Sequence, residues 1–348
     1  MRPRLGFLGV GWIGRHRLEA VVQSGVADVV AVADVSPENA AAAHSLVPTR
    51  VVNSLDELLA EDLDGVVIAT PSALHAEQAI RALERRVAVF CQKPLARTAG
   101  ETARVIEAAR HADRLLAVDL SYRFVESAQR IRDLVGAGEL GQVYAVDLVF
   151  HNAYGPDKPW FYDQALSGGG CVIDLGIHLA DLALWALESA RVCKVSSHLF
   201  CRGKPLRKPS EVVEDFALAE LELSEGTVVR LACSWNLPAG CDAVIQASFF
   251  GTRGGAMLSN VGGSFYDFRA DRFRGTTREQ LCAPPDAWGG RAILDWTRRL
   301  SEGSGFDPEV ERLREVAAII DAIYGRPASF QRSPNAQAQF EVAEVWGS

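Results

Sequence analysis

The ten residues LGFLGVGWIG, positions 5–14, decide the fold of the chain. Residues 5–8 form an apolar run that predicts a buried strand, and Trp12 begins a segment with the pattern of a helix. Between them, Gly9 permits a tight turn, Gly11 lets the backbone approach a pyrophosphate, and Gly14 allows close packing of helix on strand. Strand, Gly-x-Gly-x-x-Gly turn and helix together predict a dinucleotide site with the phosphates near Trp12 and Ile13.

A carboxylate follows the second predicted strand, Asp28–Ala33. Asp34 lies twenty residues after Gly14, where its side chain can accept hydrogen bonds from the hydroxyls of an adenosine ribose. A negative charge there repels a 2′-phosphate, so the sequence predicts NAD as the cofactor in preference to NADP. The alternative interpretation is an ordinary glycine turn followed by a solvated aspartate.

Short apolar runs alternate with helical patterns as far as residue 121. This alternation predicts an α/β N-terminal Rossmann domain with a doubly wound parallel sheet over residues 1–121. The predicted strands are Leu5–Leu8, Asp28–Ala33, Val51–Val52, Gly65–Ala69, Val87–Phe90 and Leu115–Asp119.

From residue 122 onward the pattern changes to strands with one solvated face. It predicts an α+β C-terminal domain, residues 122–348, with a large, mostly antiparallel open sheet. Phe124–Val135 is a predicted helix, and the helices Cys171–Leu187 and Pro308–Ala322 are expected to cover the apolar face of the sheet. The predicted strands are Gln142–Phe150, Val192–Phe200, Val212–Leu223, Thr227–Trp235, Ala243–Phe250 and Ala256–Asn260.

The composition is that of a globular protein of about two domains. The chain has 348 residues, 48% hydrophobic and 23% charged, with a net charge of −8. This acidic balance gives no positive footprint for nucleic acid or for an anionic membrane. Seven cysteines without a CxxC pair do not support a disulfide framework or a structural zinc site. We therefore expect a cytoplasmic protein with reduced thiols and no metal.

Two segments bear on secretion and membrane insertion. The N-terminus enters a glycine-rich turn within a few residues, without the apolar run of a signal peptide. The most apolar long segment, Cys171–Leu187, is interrupted at helical spacing by Asp174, His178 and Asp181. A membrane span rarely carries three such groups, so this segment is predicted to be a buried helix with a functional role.

Polar residues follow the fourth predicted strand. Thr70, Pro71 and Ser72 come directly after it, and His75 lies early in the next helix. Because the carboxyl ends of parallel strands face the ligand crevice, we predict that these residues bind the cofactor. The alternative is a hydroxyl helix cap with an exposed histidine.

The fifth predicted strand leads into Cys91, Gln92, Lys93 and Pro94. Pro94 ends the strand and leaves Lys93 projecting from it, where the lysine is either catalytic or simply solvated. The sequence identifies no partner that would activate Cys91, so we interpret it as a core residue.

Asp174 and His178 are spaced four residues apart, after the glycines at 168–170. On a helix this spacing places both side chains on one face. Titratable groups on an otherwise apolar helix need partners, since unpaired burial is unfavourable. The pattern alone leaves three interpretations open: a structural pair, a catalytic pair, or a metal site completed by Asp181.

Taken together, the motifs resemble the glucose–fructose oxidoreductase/inositol dehydrogenase/rhizopine catabolism family, abbreviated Gfo/Idh/MocA, over nearly the whole chain. The resemblance implies that Lys93 lies beside the nicotinamide and the substrate hydroxyl, and that Asp174 and His178 supply catalytic groups from the second domain. It rests on LGVGWIG (8–14), TPSALH (70–75), QKP (92–94), SYRF (121–124) and GGGCVIDLGIHLADLALW (168–185).

The resemblance implies an NAD(P)-dependent dehydrogenase that moves a hydride between nicotinamide and a secondary hydroxyl or ketone of a sugar, cyclitol or sugar derivative. Sugar nucleotides, aminosugars and aminoglycosides are included, and a homodimer or homotetramer is implied. We predict His178 as the general base, Lys93 as the group that stabilises the alkoxide, and Asp174 as an orienting group. Candidate walls of the substrate pocket are Tyr122, Arg123, Asn152, Trp160 and Tyr162.

One position departs from the usual Glu-Lys-Pro of the family, because Gln92 replaces the glutamate. The amide keeps the size and hydrogen-bonding capacity but removes a negative charge beside Lys93. We still predict that Gln92 and Lys93 contact the cofactor. Two alternative functions stay open: an enzyme that retains its cofactor without net redox change, and a catalytically silent NAD-binding sensor.

Overall fold

The structure, a computed structural model, describes residues 2–188, 191–208, 210 and 212–328. Its N-terminal part alternates strands and helices, as the hydrophobic pattern predicts. The elements are β1 (Arg4–Leu8), α1 (Trp12–Ser24), β2 (Asp28–Ala33), α2 (Pro37–Leu46), β3 (Arg50–Val52), α3 (Leu55–Leu59), β4 (Gly65–Ile68), α4 (Ser72–Glu84), β5 (Ala88–Cys91), α5 (Ala99–Ala112) and β6 (Leu116–Val118).

These six strands form one parallel sheet in the order β3-β2-β1-β4-β5-β6. All residues of β4 and β5 are buried, which is expected where helices cover both faces of a parallel sheet. Successive strands are added on one side of β1 as far as β3 and on the other side from β4 onward. This reversal of strand order between β1 and β4 opens a crevice at the carboxyl ends of the strands. The predicted doubly wound Rossmann domain is confirmed.

The second part of the chain is built around a larger sheet. Short 3₁₀ turns occur at Ser121–Phe124, Pro159–Tyr162 and Pro308–Glu311, and a π-helical turn at Val172–Gly176. The remaining elements are α6 (Glu126–Gly136), β7 (Val143–Asn152), α7 (Gln164–Ser167), α8 (Ile177–Leu187), β8 (Val192–Cys201), β9 (Lys204–Pro205), β10 (Phe216–Leu223), β11 (Val228–Ser234), β12 (Ala243–Gly251), β13 (Gly254–Asn260), β14 (Phe268–Arg274), β15 (Thr277–Cys282), α9 (Arg291–Ser301) and α10 (Arg312–Ile323).

This sheet has nine strands in the order β15-β14-β13-β12-β7-β11-β10-β8-β9. The pair β7 and β11 is parallel, and the other neighbouring pairs are antiparallel. Helices α6, α8 and α10 pack on its apolar face. The opposite face includes exposed apolar side chains such as Leu218 and Phe250. The predicted α+β domain with a mostly antiparallel sheet is confirmed.

Three elements of the second part differ from the predictions. Strand β10 begins at Phe216 instead of Val212, because the preceding Glu214 turns inward and is buried. Strands β14 and β15 were not predicted, since the arginines of β14 and the mostly polar sequence of β15 mask the alternation. There, the buried carboxylate of Asp271 pairs with Arg269 and Arg278 on the strand surface.

Helix α9 was also not predicted, and it packs against the Rossmann domain instead of the second sheet. Trp296 is 1% exposed, and its ring centroid lies 5.6 Å from that of Phe90 in β5. A Cβ atom on Gly65 would meet Trp296 at 2.6 Å, so the close approach requires glycine there. Residues 291–301 therefore belong to the N-terminal core, which corrects their assignment to the 122–348 domain.

The apolar helical stretch 164–187 is long enough to cross a membrane by length and composition. In the fold, 89% of its most apolar window is buried. Its side chains pack between the nine-stranded sheet and α10. The predicted segment Cys171–Leu187 within this stretch is therefore buried in the core of the second domain.

The packing of α9 predicts a large effect on stability. Trp296→Ala is expected to lower the free energy of unfolding by about 3–5 kcal/mol, because it leaves a cavity against β5. Leu74→Ala, at a side chain that is 44% exposed on α4, is expected to change it by about 0.5 kcal/mol. Urea unfolding measures both, and equal effects would contradict the proposed packing.

Candidate active site

The glycine turn between β1 and α1 is shaped by two close approaches and one open side. Gly9 has a positive φ of 83°, and a Cβ there would meet the carbonyl oxygen of Ala69 at 2.6 Å. A Cβ on Gly14 would meet the carbonyl oxygen of Gly9 at 2.1 Å. At Gly11, by contrast, the nearest atom would be Asn39 Nδ2 at 3.9 Å. The open side at Gly11 leaves room for a ligand against the backbone.

The N-terminus of α1 and Asp34 supply the polar groups beside this turn. No side chain of the described residues caps α1 at Gly11, so the first N–H groups of the helix remain for an anion. Asp34 Oδ2 accepts from the Val10 N–H at 2.7 Å, and Oδ1 accepts from the Ser36 N–H at 2.8 Å. The arrangement fits a dinucleotide, with the pyrophosphate on the helix and a ribose near Asp34.

Trp12 and Ile13 follow the glycine turn on the first turn of α1. Trp12 is 59% exposed, and its ring centroid lies 4.6 Å from that of His16. Ile13 is half-buried. Both therefore stand at the edge of the open crevice.

The residues that follow β4 are less available than the sequence predicts. His75 is 1% exposed, and its ring nitrogens lie 2.7 Å from the carbonyl oxygen of Pro94 and 2.6 Å from that of Thr70. Burial lowers the pKa of this imidazole. Ser72 is also buried, and the Thr70 hydroxyl donates to Gln78. His75 thus braces the turns after β4 and β5 instead of facing the crevice, which corrects its assignment. Pro71, which precedes α4, is half-buried.

Lys93 and Asp174 bring the two parts of the chain together. Lys93 Nζ donates to Asp174 Oδ1 at 2.6 Å and to the Asp174 carbonyl oxygen at 2.7 Å. The second carboxylate oxygen of Asp174 accepts from Trp235 Nε1 at 3.0 Å. Lys93 therefore keeps one N–H donor for a ligand, while the carboxylate is held at both oxygens.

Glu214 and Tyr324 hold the start of the segment that carries Asp174. The Glu214 carboxylate is 1% exposed and accepts from the N–H groups of Gly170, at 3.1 Å, and Val172, at 2.8 Å. The Tyr324 hydroxyl donates to Glu214 at 2.9 Å and accepts from the Ile173 N–H at 3.2 Å. Burial raises the pKa of Glu214. These contacts satisfy the N–H groups at the helix start.

Asp174 lies in the π-helical turn Val172–Gly176, whereas the spacing with His178 predicted one continuous α-helix. Such widened turns occur frequently at functional sites. Asp174 and His178 are nevertheless both related to Lys93, which contacts the first and acts electrostatically on the second.

His178 is a buried, neutral imidazole. Burial lowers its pKa well below the usual 6.5, and the positive charge of Lys93 lowers it further. Its Nδ1 is buried and has no hydrogen-bond partner among the described residues. The edge of the Tyr122 ring packs on it, with the centroids 4.9 Å apart. A neutral imidazole beside a lysine can accept a proton from a ligand hydroxyl.

Arg123, predicted as a wall residue, is paired with a buried carboxylate. Its guanidinium makes a two-pronged contact with Asp181, with Nε 2.8 Å from Oδ2, and Asp181 is 2% exposed. Burial opposes the charge of Arg123, but Asp181 raises its pKa above the usual value. Because Asp181 is committed to Arg123, it does not join Asp174 and His178. The described part of the chain contains no metal-binding cluster of three His, Cys, Asp or Glu residues.

The other candidate wall residues are Tyr122, Tyr162, Asn152 and Trp160. Tyr122 and Tyr162 lie near Asp174, since its charge raises the pKa of both phenols after the larger effect of burial. Asn152 ends β7, and its Oδ1 is buried without a partner among the described residues. Trp160 stacks on Phe161, with their ring centroids 3.8 Å apart.

Sequence reasoning missed three residues of this region: Trp235, Glu214 and Asp119. Trp235 is 3% exposed, and the predicted strand Thr227–Trp235 marked it only as apolar. Asp119 follows β6 and Glu214 precedes β10, positions at which a carboxylate is normally solvated. Each is nevertheless only 1% exposed. No local signal distinguishes these residues, because their partners are far away in the sequence.

The fold and the site define a dinucleotide-binding oxidoreductase with a second domain that contributes to the crevice. Residues 4–120 match a family model described as an oxidoreductase family with an NAD-binding Rossmann fold, and residues 128–257 match the GFO/IDH/MocA C-terminal domain. The chain belongs to the GFO/IDH/MocA oxidoreductase family. This confirms the resemblance found in the sequence.

Two relatives and one solved structure illustrate the range of the family. Inositol 2-dehydrogenase 3 of Saccharopolyspora erythraea is 29% identical over 95% of this chain and 89% of its own length. D-glucoside 3-dehydrogenase of Escherichia coli is 30% identical over 58% of this chain, and the match spans 60% of that protein. Levoglucosan dehydrogenase in complex with NADH shares the fold, with a TM-score of 0.82, 21% identity and coverage of 96% of this chain and 100% of the other.

The lowered pKa of His178 predicts a loss of stability in acid. The unfolded state takes up a proton near pH 6.5 and the folded state only at lower pH, so stability falls as pH drops below 6.5. The loss that this group contributes grows as the pH falls from 7.5 to 5.5. Urea unfolding should show that His178→Gln removes this part of the pH dependence. His111→Gln, at an exposed position, should leave it intact, and an unchanged profile for His178→Gln would contradict the prediction.

Proposed function

We propose that the protein is an NAD-dependent dehydrogenase that transfers a hydride between nicotinamide and a secondary hydroxyl or ketone of a sugar, cyclitol or sugar derivative. The observation that carries the proposal is the contact of Lys93, at the carboxyl end of β5, with Asp174 of the second domain. It gathers a cation, a carboxylate and a neutral imidazole beside the cofactor crevice. These are the groups that alcohol oxidation requires.

When bound, the nicotinamide accepts the hydride in the oxidation direction. Lys93 Nζ, with one N–H not used by Asp174, holds the substrate hydroxyl and stabilises the negative charge that develops on its oxygen. The imidazole of His178 takes the hydroxyl proton, because burial and Lys93 keep it neutral at pH 7. Asp174, held by Trp235, fixes the position of Lys93 and balances the charge on the protonated imidazole.

The substrate class is supported by an exposed aromatic ring beside Trp235 and by the activities of the relatives. Tyr162, which is 48% exposed and whose ring centroid lies 5.6 Å from that of the buried Trp235, offers an aromatic face that suits the C–H face of a sugar ring. The relatives include an inositol dehydrogenase and a D-glucoside dehydrogenase. The proposed homodimer or homotetramer would use the open face of the nine-stranded sheet.

The preference for NAD is supported by the hydrogen bonds of Asp34. Both carboxylate oxygens accept backbone N–H bonds, so the negative charge is fixed at the end of β2. A 2′-phosphate next to it would meet a like charge, whereas two ribose hydroxyls would meet an acceptor.

The catalytic proposal is tested by cofactor reduction. The purified protein is mixed with NAD and a panel of sugars, cyclitols, sugar nucleotides and aminoglycosides, and the absorbance of reduced nicotinamide is followed. Lys93→Ala and His178→Ala are expected to lower kcat at least about 100-fold, because each removes a group that acts on the hydroxyl proton or the alkoxide. For His178→Ala the dissociation constant for NAD should change by less than about threefold, because His178 is not among the predicted cofactor contacts.

Lys204→Ala and His111→Ala, both at exposed positions, are the matched controls and should leave kcat unchanged. Turnover without reduced cofactor, detected by product analysis, would instead indicate a family enzyme that retains its cofactor. Tight NAD binding without any turnover across the panel would favour a sensor and contradict the proposal.

The cofactor proposal is tested by charge removal. Asp34→Ser is expected to raise the ratio of kcat/KM for NADP to that for NAD at least about tenfold, because it removes the repulsion toward the 2′-phosphate. Asp28→Ser, at the opposite and exposed end of the same strand, is the control. Initial rates with both cofactors measure the ratio, and equal ratios for the wild type and Asp34→Ser would overturn the assignment.

A further inference from the structure

A buried carboxylate lies behind the Lys93 end of the crevice. Asp119 follows β6 and is 1% exposed. Its Oδ2 accepts from Arg17 Nε at 2.5 Å and from Gln92 Nε2, and its Oδ1 accepts from the Ser121 hydroxyl. Three side chains from separate segments therefore converge on one carboxylate.

Arg17 balances the charge of Asp119 and connects it to the cofactor helix. Arg17 lies on α1, the helix that the glycine turn opens, and is 6% exposed. Its guanidinium also donates to Ser121 Oγ at 3.0 Å and to the carbonyl oxygen of Gly289. Removing one partner of such a buried ion pair strongly destabilises a protein, because the other charge is left uncompensated. The carboxylate of Asp119 is therefore a fixed acceptor.

The fixed carboxylate of Asp119 sets the orientation of the Gln92 amide, and so the side on which its oxygen lies. Gln92 Nε2 is committed to Asp119, and the Gln92 backbone N–H is committed to the carbonyl oxygen of Ile68 at 2.8 Å. The acceptor Oε1 of the amide remains for a ligand, together with the second N–H of Nε2. Gln92 directly precedes Lys93 at the end of β5, on the side of the strand-order reversal opposite Asp34. In such sheets the two halves of a dinucleotide lie on opposite sides of the reversal.

We propose that Asp119 is a positioning residue for the nicotinamide half of the cofactor: supported by Arg17, it holds the Gln92 amide so that Oε1 accepts a hydrogen bond from the carboxamide or ribose of that half. The inference rests on the proposed function. It also gives a physical reason for glutamine at this position. A glutamate there would oppose the Asp119 carboxylate at hydrogen-bonding distance, and the amide N–H avoids that repulsion.

The test exchanges the carboxylate and the amide between the two positions. Dissociation constants for NADH and for ADP-ribose, which lacks the nicotinamide ring, are measured for the wild type, Gln92→Glu, Asp119→Asn and the double variant. Gln92→Glu and Asp119→Asn should each weaken NADH binding at least about tenfold, with ADP-ribose binding within about threefold of the wild type. The double variant restores one carboxylate and one amide, so its NADH binding should return to within about threefold.

Gln23→Glu adds the same charge at an exposed position of α1 and should leave both constants unchanged. Equal losses for NADH and ADP-ribose, or a double variant as weak as the weaker single variant, would overturn the role of Asp119. Unchanged NADH binding by Gln92→Glu would overturn it as well, while leaving the proposed function intact. A wild type that binds neither ligand would overturn the proposed function and this inference with it.

Discussion

The contact between Lys93 and Asp174 is the constraint on which the site depends. It joins the carboxyl end of β5 in the Rossmann domain to the π-helical turn of the second domain, and each residue lies less than one quarter exposed. Without it, the cation would lie at a strand end and the carboxylate on a core helix, each lacking its charged partner. The protonation state of His178 also depends on Lys93, since the charge of the lysine helps to keep the imidazole neutral.

Much of the surrounding structure serves to hold this contact in place. From one side, His75 braces the turn that carries Lys93 through the carbonyl oxygens of Thr70 and Pro94. From the other, Glu214 and Tyr324 satisfy the N–H groups that start the helix of Asp174. These buried polar contacts specify a single geometry more sharply than apolar packing does.

The sequence predicted the parts of the fold that local periodicity encodes. The glycine turn, the six parallel strands and most strands of the second sheet were recovered, because each carries its own hydrophobic pattern. Family resemblance implied catalytic roles for Lys93, Asp174 and His178, but the ion pair between Lys93 and Asp174 was not predicted. What stayed hidden depends on partners far away in the sequence. The sequence marked Trp235 only as the apolar end of a strand, whereas its Nε1 donates to Asp174. It predicted Arg123 as a wall residue without indicating that its guanidinium pairs with Asp181.

Helix α9 has a consequence for how the two domains could be separated or recombined. The chain leaves the Rossmann domain after β6, builds the nine-stranded sheet, and then returns to insert Trp296 beside Gly65 and Phe90. Arg17 adds a polar link to the same returning segment at Gly289. A chimera that joined this Rossmann domain to another protein at residue 121 would expose an apolar slot and remove one hydrogen-bond acceptor, the Gly289 carbonyl oxygen, from the buried Arg17 guanidinium. A functional graft must therefore be discontinuous and carry residues 289–301 along with the first 121.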